Sequence, residues 1–156
     1  MRCVDLKSWQ HLLCVAALLC AAFGASAQDV CKPKNVDVCA LAHQFAEETA
    51  RTLPMQLNSN LSMQTAFSEQ STVVLTAKLN YTREYLDQIL ASSGKSNDQM
   101  LKVLYNSAKS SICPRSSDSE YFVERGGHVR YIYKFKDGTT YTTVAIDSCK
   151  ELPASG

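Results

Sequence analysis

The chain reads as an α+β fold: a single domain with an antiparallel sheet of about four to five strands, packed with about three helices and stapled by disulfides. Three observations predict this. The hydrophobic period switches between three-to-four and two along the chain, and an alternating segment turns on Asp137-Gly138 near its end. Cys31, Cys39, Cys113 and Cys149 remain once an N-terminal leader peptide is set aside.

Arg2 and Lys7 precede an apolar run from Leu12 to Phe23, which closes on Ala25-Ser26-Ala27. That charged, apolar, small-residue order predicts a cleavable signal peptide over residues 1–27. The run is shorter than the roughly 20 apolar residues of a spanning helix, so the mature chain is expected to be soluble or at most peripherally associated with an outer membrane. Leu13 and Leu19 stand before Cys14 and Cys20, where a lipoprotein signal wants a small residue. Lipidation is therefore not expected. Residues 28–35 form a leader, 36–150 one domain and 151–156 a C-terminal tail.

The whole chain has 16 basic and 15 acidic residues, and losing Arg2, Lys7 and Asp5 with the signal brings the formal net charge to zero. Such balance argues against a nucleic-acid-binding protein, which needs a basic stripe to neutralise phosphates. An even cysteine count in an exported chain predicts disulfides, because the compartment is oxidising. Three pairings are open. Cys31–Cys39 is favoured as a local clasp and Cys113–Cys149 as a long bridge, because the second pair follows a helix and ends a strand.

Val38, Leu41, Ala42, Phe45 and Thr49 recur at helical spacing between Val36 and Thr52, with Asn35 or Asp37 as N-cap. Pro54 ends that helix, since the residue before proline avoids helical angles. Leu57, Ser59, Leu61, Met63, Thr65 and Phe67 then alternate, Ser68–Ser71 turn, and Val73, Leu75, Ala77 and Leu79 alternate again. An antiparallel pair is expected there. Thr82 caps a short helix carrying Tyr85, Leu86, Ile89 and Leu90, stopped at Gly94; Ser96 with Gln99 opens a longer one that ends before Pro114. Glu120–Arg125 reads as strand. Val129, Tyr131, Tyr133 and Phe135 share one face of the next strand, and Asp137-Gly138 turns it into the last, because glycine takes positive φ freely.

No motif predicts an enzyme, a metal or a cofactor. His43 and His128 lack the three or four closely spaced ligands of a zinc site. A cysteine nucleophile competes with disulfide formation, and no Gly-x-Ser-x-Gly elbow occurs. Glu47-Glu48 and the Asp118/Glu120 pair read as solvated carboxylates rather than acid–base partners. Gly94-Lys95-Ser96 lacks the earlier glycine of a phosphate loop. The triplets Asn60-Leu61-Ser62 and Asn80-Tyr81-Thr82 match the glycosylation pattern, but the alanine-rich signal looks bacterial and both are taken as unmodified. Tyr131, Tyr133, Phe135 and Tyr141 read first as a sheet face packed on helices. They are also the expected partner-binding set, because a groove between sheet and helix can seat a peptide.

Several segments resemble the small α+β pilotins of bacterial type II secretion, the AspS or GspS-beta group. They are "ETARTLPMQL", with Thr52 where that group has asparagine, a helix ending in "SSICP", "VERGGHVRYIYKF" after it, and "DGTTYTTVAIDSC" closing on cysteine. The resemblance runs from about Glu48 to Lys150. It implies a periplasmic protein that binds the C-terminal helical segment of a secretin, and it implies the Cys113–Cys149 bridge. The absent lipidation signal and the extra Cys31/Cys39 pair depart from that pattern. Two readings follow: an exported, non-enzymatic binding module for such a segment, or a periplasmic immunity or inhibitor protein that blocks a toxin through loops at Ser92–Asn97 or Arg115–Ser119. Either places the protein in the periplasm or outside the cell.

Overall fold

The computed structural model describes residues 31–32 and 35–150; the expected signal peptide, most of the leader and the tail lie outside them. Helix α1 (Val38–Ala50) leads into strands β1 (Met55–Asn58), β2 (Leu61–Glu69) and β3 (Thr72–Leu79). Helices α2 (Arg83–Ser93), α3 (Asn97–Ile112) and α4 (Asp118–Glu124) follow, and β4 (His128–Lys134) and β5 (Thr140–Ile146) complete a five-stranded sheet in the order β1-β2-β3-β4-β5. The α+β fold stapled by disulfides is as expected, with bonds joining Cys31 to Cys39 and Cys113 to Cys149.

Local chemistry sets the helix ends. The Asp37 side chain accepts from Ala40 N at 3.0 Å and starts α1. Gly94 closes α2 in the left-handed conformation, φ 65°. Ser96 and Gln99 form the expected reciprocal capping box, at 3.2 and 2.9 Å. At the final hairpin Gly138 has φ 89°, and Asp137 Oδ1 accepts from Thr139 N at 2.9 Å and Thr139 Oγ1 at 2.7 Å.

Four details differ from the expectation. Glu120–Arg125 belongs to a helix rather than a strand: Ser117 Oγ accepts from Glu120 N at 3.1 Å, acidic Asp118 and Glu120 sit at the positive end, and Phe122 and Val123 bury together. This fourth helix is too short for period three-to-four to show. The alternation from Leu57 to Phe67 is two strands, folded back at Ser59-Asn60, where Asn60 N donates to Asn58 Oδ1 at 2.9 Å. A bulge between Met63 and Thr65 then swaps faces, so Met63 is buried while Thr65 and Phe67 point to solvent. Finally, the sheet is mixed. β1–β2, β2–β3 and β4–β5 are antiparallel, but β3 and β4 are parallel because the three-helix crossover over residues 80–127 brings the chain back to the same end.

Each of the four helices among the described residues contributes to clusters on one sheet face. Ala42 and Ala46 of α1, Leu104, Ala108 and Ile112 of α3, and Phe122 and Val123 of α4 pack on Val73, Leu75, Val129, Tyr131, Tyr133 and Ile146. Leu86 of α2 joins Leu79 and Phe135 in a smaller cluster beside it. Gly127 permits the first of these: a Cβ there would lie 2.2 Å from the Phe122 ring, which meets Phe45 edge-on at 5.9 Å.

Candidate functional site: an uncharged apolar cleft over the sheet

The helices do not cover their sheet face completely. Between α1, β1 and α3 lies an open cleft of about 280 Å³. Leu75 and Ala77 of β3 with Tyr131 and Tyr133 of β4 form its floor. Ala108 and Ile112 of α3, Met55 and Leu57 of edge strand β1, and Phe45 and Thr49 of α1 line its sides. None of the lining residues among those described is charged. Its polar groups are hydroxyls, from Thr49, Ser107, Ser111, Ser119 and the two tyrosines.

Strand alternation explains the floor. Leu75 pairs with Tyr131 and Ala77 with Tyr133 in register, so large rings stand beside smaller side chains on the same face. The two tyrosine rings stack at 6.0 Å with an interplanar angle of 16°. Tyr131 Oη and Ser111 Oγ are 2.9 Å apart, which ties the floor to the α3 wall. Burial pushes both phenols up, the Ser111 bond partly offsetting this at Tyr131; with Tyr131 adding to the effect, Tyr133 reaches about 12.

The β1 wall is a sheet edge and projects apolar surface. Met55 is 43 % exposed and Leu57 46 % exposed, continuous with the cleft's interior. Met55 and Leu57 thus set apolar surface on a short edge strand directly beside the cleft.

The four aromatic residues expected as a partner-binding set divide between two places. Tyr131 and Tyr133 floor the cleft. Phe135 is fully buried in the smaller cluster, with Tyr141 5.0 Å from it and the Arg83 guanidinium 5.0 Å over its ring. Tyr141 reaches that cluster because the β4–β5 register shifts beside Lys134, and its hydroxyl donates to Asn97 Oδ1 at 2.7 Å. Met55, Leu57, Phe45 and Ile112 were not expected at a site. Only the Asn58-Ser59-Asn60 turn chemistry marks β1 as a separate strand. Of the two histidines among the described residues, His43 lies 3.7 Å from Glu47 and His128 Nδ1 2.8 Å from Asp147 Oδ1, both on the surface.

No protein-family model matches the chain, and no curated protein matches it. Solved structures do. The type II secretion pilotin AspS of Vibrio cholerae is 24 % identical with a TM-score of 0.52, over 79 % of this chain and 95 % of that one. The pilotin EpsS of Vibrio vulnificus type 2 secretion is 14 % identical with a TM-score of 0.55, over 74 % and 94 %. A candidate secreted protein of Pseudomonas aeruginosa is 14 % identical with a TM-score of 0.56, over 72 % and 93 %. The chain therefore has the fold of the pilotins, in agreement with the resemblance carried by its segments.

Proposed function

We propose that this chain, built on the pilotin fold, is an exported, non-enzymatic binding protein that seats an amphipathic helical segment of a secretin-like envelope partner in the cleft between α1, β1 and α3. The observation that carries this reading is the exposed apolar rim of Met55 and Leu57 beside an uncharged, tyrosine-floored cleft. An amphipathic helix buries its apolar stripe in such a groove and leaves its polar face in water. The pilotin neighbours make a secretin the partner to test first. Two disulfides and the signal-like N-terminus support function in the periplasm.

The test is titration of the mature protein with overlapping peptides from the C-terminal segment of the same organism's secretins. Saturable binding is expected, lost in Met55→Asp. Binding that survives Met55→Asp, or capture of a soluble toxin through the Ser92–Asn97 loop instead, overturns the reading.

A further inference from the structure

Tyr133 is the one floor residue whose polarity the fold leaves unused. Tyr133 is only 3 % exposed, yet among the described residues its hydroxyl has no hydrogen-bond partner, whereas Tyr131 beside it is paired with Ser111. No fully buried side-chain oxygen among those residues lacks a partner, so the Tyr133 hydroxyl must meet open space. The open space adjoining it is the cleft. Ser107, one turn before Ser111 on the α3 wall, also faces the cleft without closing a bond to it.

We propose that Tyr133 is a specificity-determining residue: its hydroxyl selects a partner helix whose buried apolar stripe is interrupted by one uncharged hydrogen-bonding side chain, Ser, Thr, Asn or Gln. This rests on the helix-binding reading of the cleft and names the chemistry of its occupant. An all-apolar stripe would cover the phenol and strip its water without replacing the bond, which is costly. A charged side chain would meet no countercharge among the described lining residues. A neutral donor–acceptor meets both conditions. Burial keeps the phenol protonated well beyond neutral pH, so it remains able to donate. A polar residue inside an apolar stripe fixes register, because sliding the helix by one turn would carry that residue off the phenol and onto the apolar lining.

The experiment uses the mature, oxidised protein and a set of labelled amphipathic 18-residue helical peptides differing at one central stripe position: Leu, Ser, Gln or Glu. Fluorescence anisotropy gives Kd for the wild type, Tyr133→Phe, Met55→Asp and, as a paired-hydroxyl control, Tyr131→Phe. The wild type should prefer Ser or Gln over Leu. Tyr133→Phe should weaken the Ser and Gln peptides by about 3–10-fold and leave the Leu peptide equal or tighter. Thermal unfolding checks that the variant is folded. Peptides that bind, depend on Met55, and show no preference altered by Tyr133→Phe overturn this inference alone. Absence of binding, or binding indifferent to Met55→Asp, overturns the cleft reading with it.

Discussion

Ser111 Oγ on α3 and Tyr131 Oη on β4 lie 2.9 Å apart, twenty residues apart in sequence, and join one wall of the cleft to its floor. The bond holds the phenol of a nearly buried ring where it would otherwise be stranded. Tyr131→Phe and Ser111→Ala should each cost about 1 kcal/mol of unfolding free energy. Ser111→Ala should be the more harmful, because it leaves the tyrosine hydroxyl unpaired while Tyr131→Phe removes it. A double-mutant cycle in chemical denaturation measures the coupling, and additive losses would show that the pair contributes nothing.

Met55 and Leu57 are about half exposed on an edge strand, so their loss removes little core. Met55→Asp and Leu57→Asp should change stability by about 0.5 kcal/mol or less while weakening partner binding more than about tenfold. Titration and thermal melts on the same samples separate the two effects. A large fall in melting temperature would assign the rim to the core instead.

Gly127 has no room for a side chain. Gly127→Ala should destabilise by about 1–3 kcal/mol, since the added Cβ displaces the Phe122 ring from its contact with Phe45. Urea midpoints test this, and Phe122→Leu should partly rescue the alanine variant by yielding space.

Tyr133 makes stability depend on alkaline pH. Its value in the folded chain, about 12, lies above the ordinary tyrosine value of 10.0, so folding favours the neutral phenol. That contribution is fully present below about pH 10 and is lost as pH rises towards 12. Denaturation midpoints between pH 8 and 11.5 should fall for the wild type and fall less steeply for Tyr133→Phe. Some slope should persist, because burial raises Tyr131 and Tyr81 as well.

The Cys113–Cys149 bond closes a loop with a sequence separation of 36. Replacing both cysteines by alanine should cost about 3–4 kcal/mol on chain-entropy grounds. Peptide mapping without reductant should recover the linked pair from the wild type; free thiols at both positions would refute the oxidised state.

What local chemistry dictates was legible in the sequence. Asp37, Ser96 with Gln99, Gly94 and Asp137-Gly138 act within a few residues of themselves, so their caps and turns appear where the residues stand. The Cys113–Cys149 pair followed from its places at a helix end and beyond a strand end. The site was less legible because it is assembled from separate elements. Leu57 hides inside a longer alternation and Met55 stands just before it, and the bulge after Met63 reverses a phase that residue types alone keep constant. Seven residues of α4 carry too little period to outweigh the β-forming Tyr121, Phe122 and Val123. Tyr133 stands in the sequence as one of an aromatic row; only tertiary packing distinguishes its hydroxyl, without a partner among the described residues, from the paired one on Tyr131.

The parallel pairing of β3 with β4 has a kinetic consequence. β1 to β3 and β4 to β5 are each built from neighbouring segments, so either half of the sheet can zip locally, whereas their seam must wait for the crossover over residues 80–127 to close. The floor of the cleft straddles that seam, with Leu75 on one side and Tyr131 on the other. A chain caught with its halves unjoined therefore has no cleft at all, and competence to bind should arrive together with the slowest step of folding, a coincidence that stopped-flow refolding with a bound-peptide reporter can time.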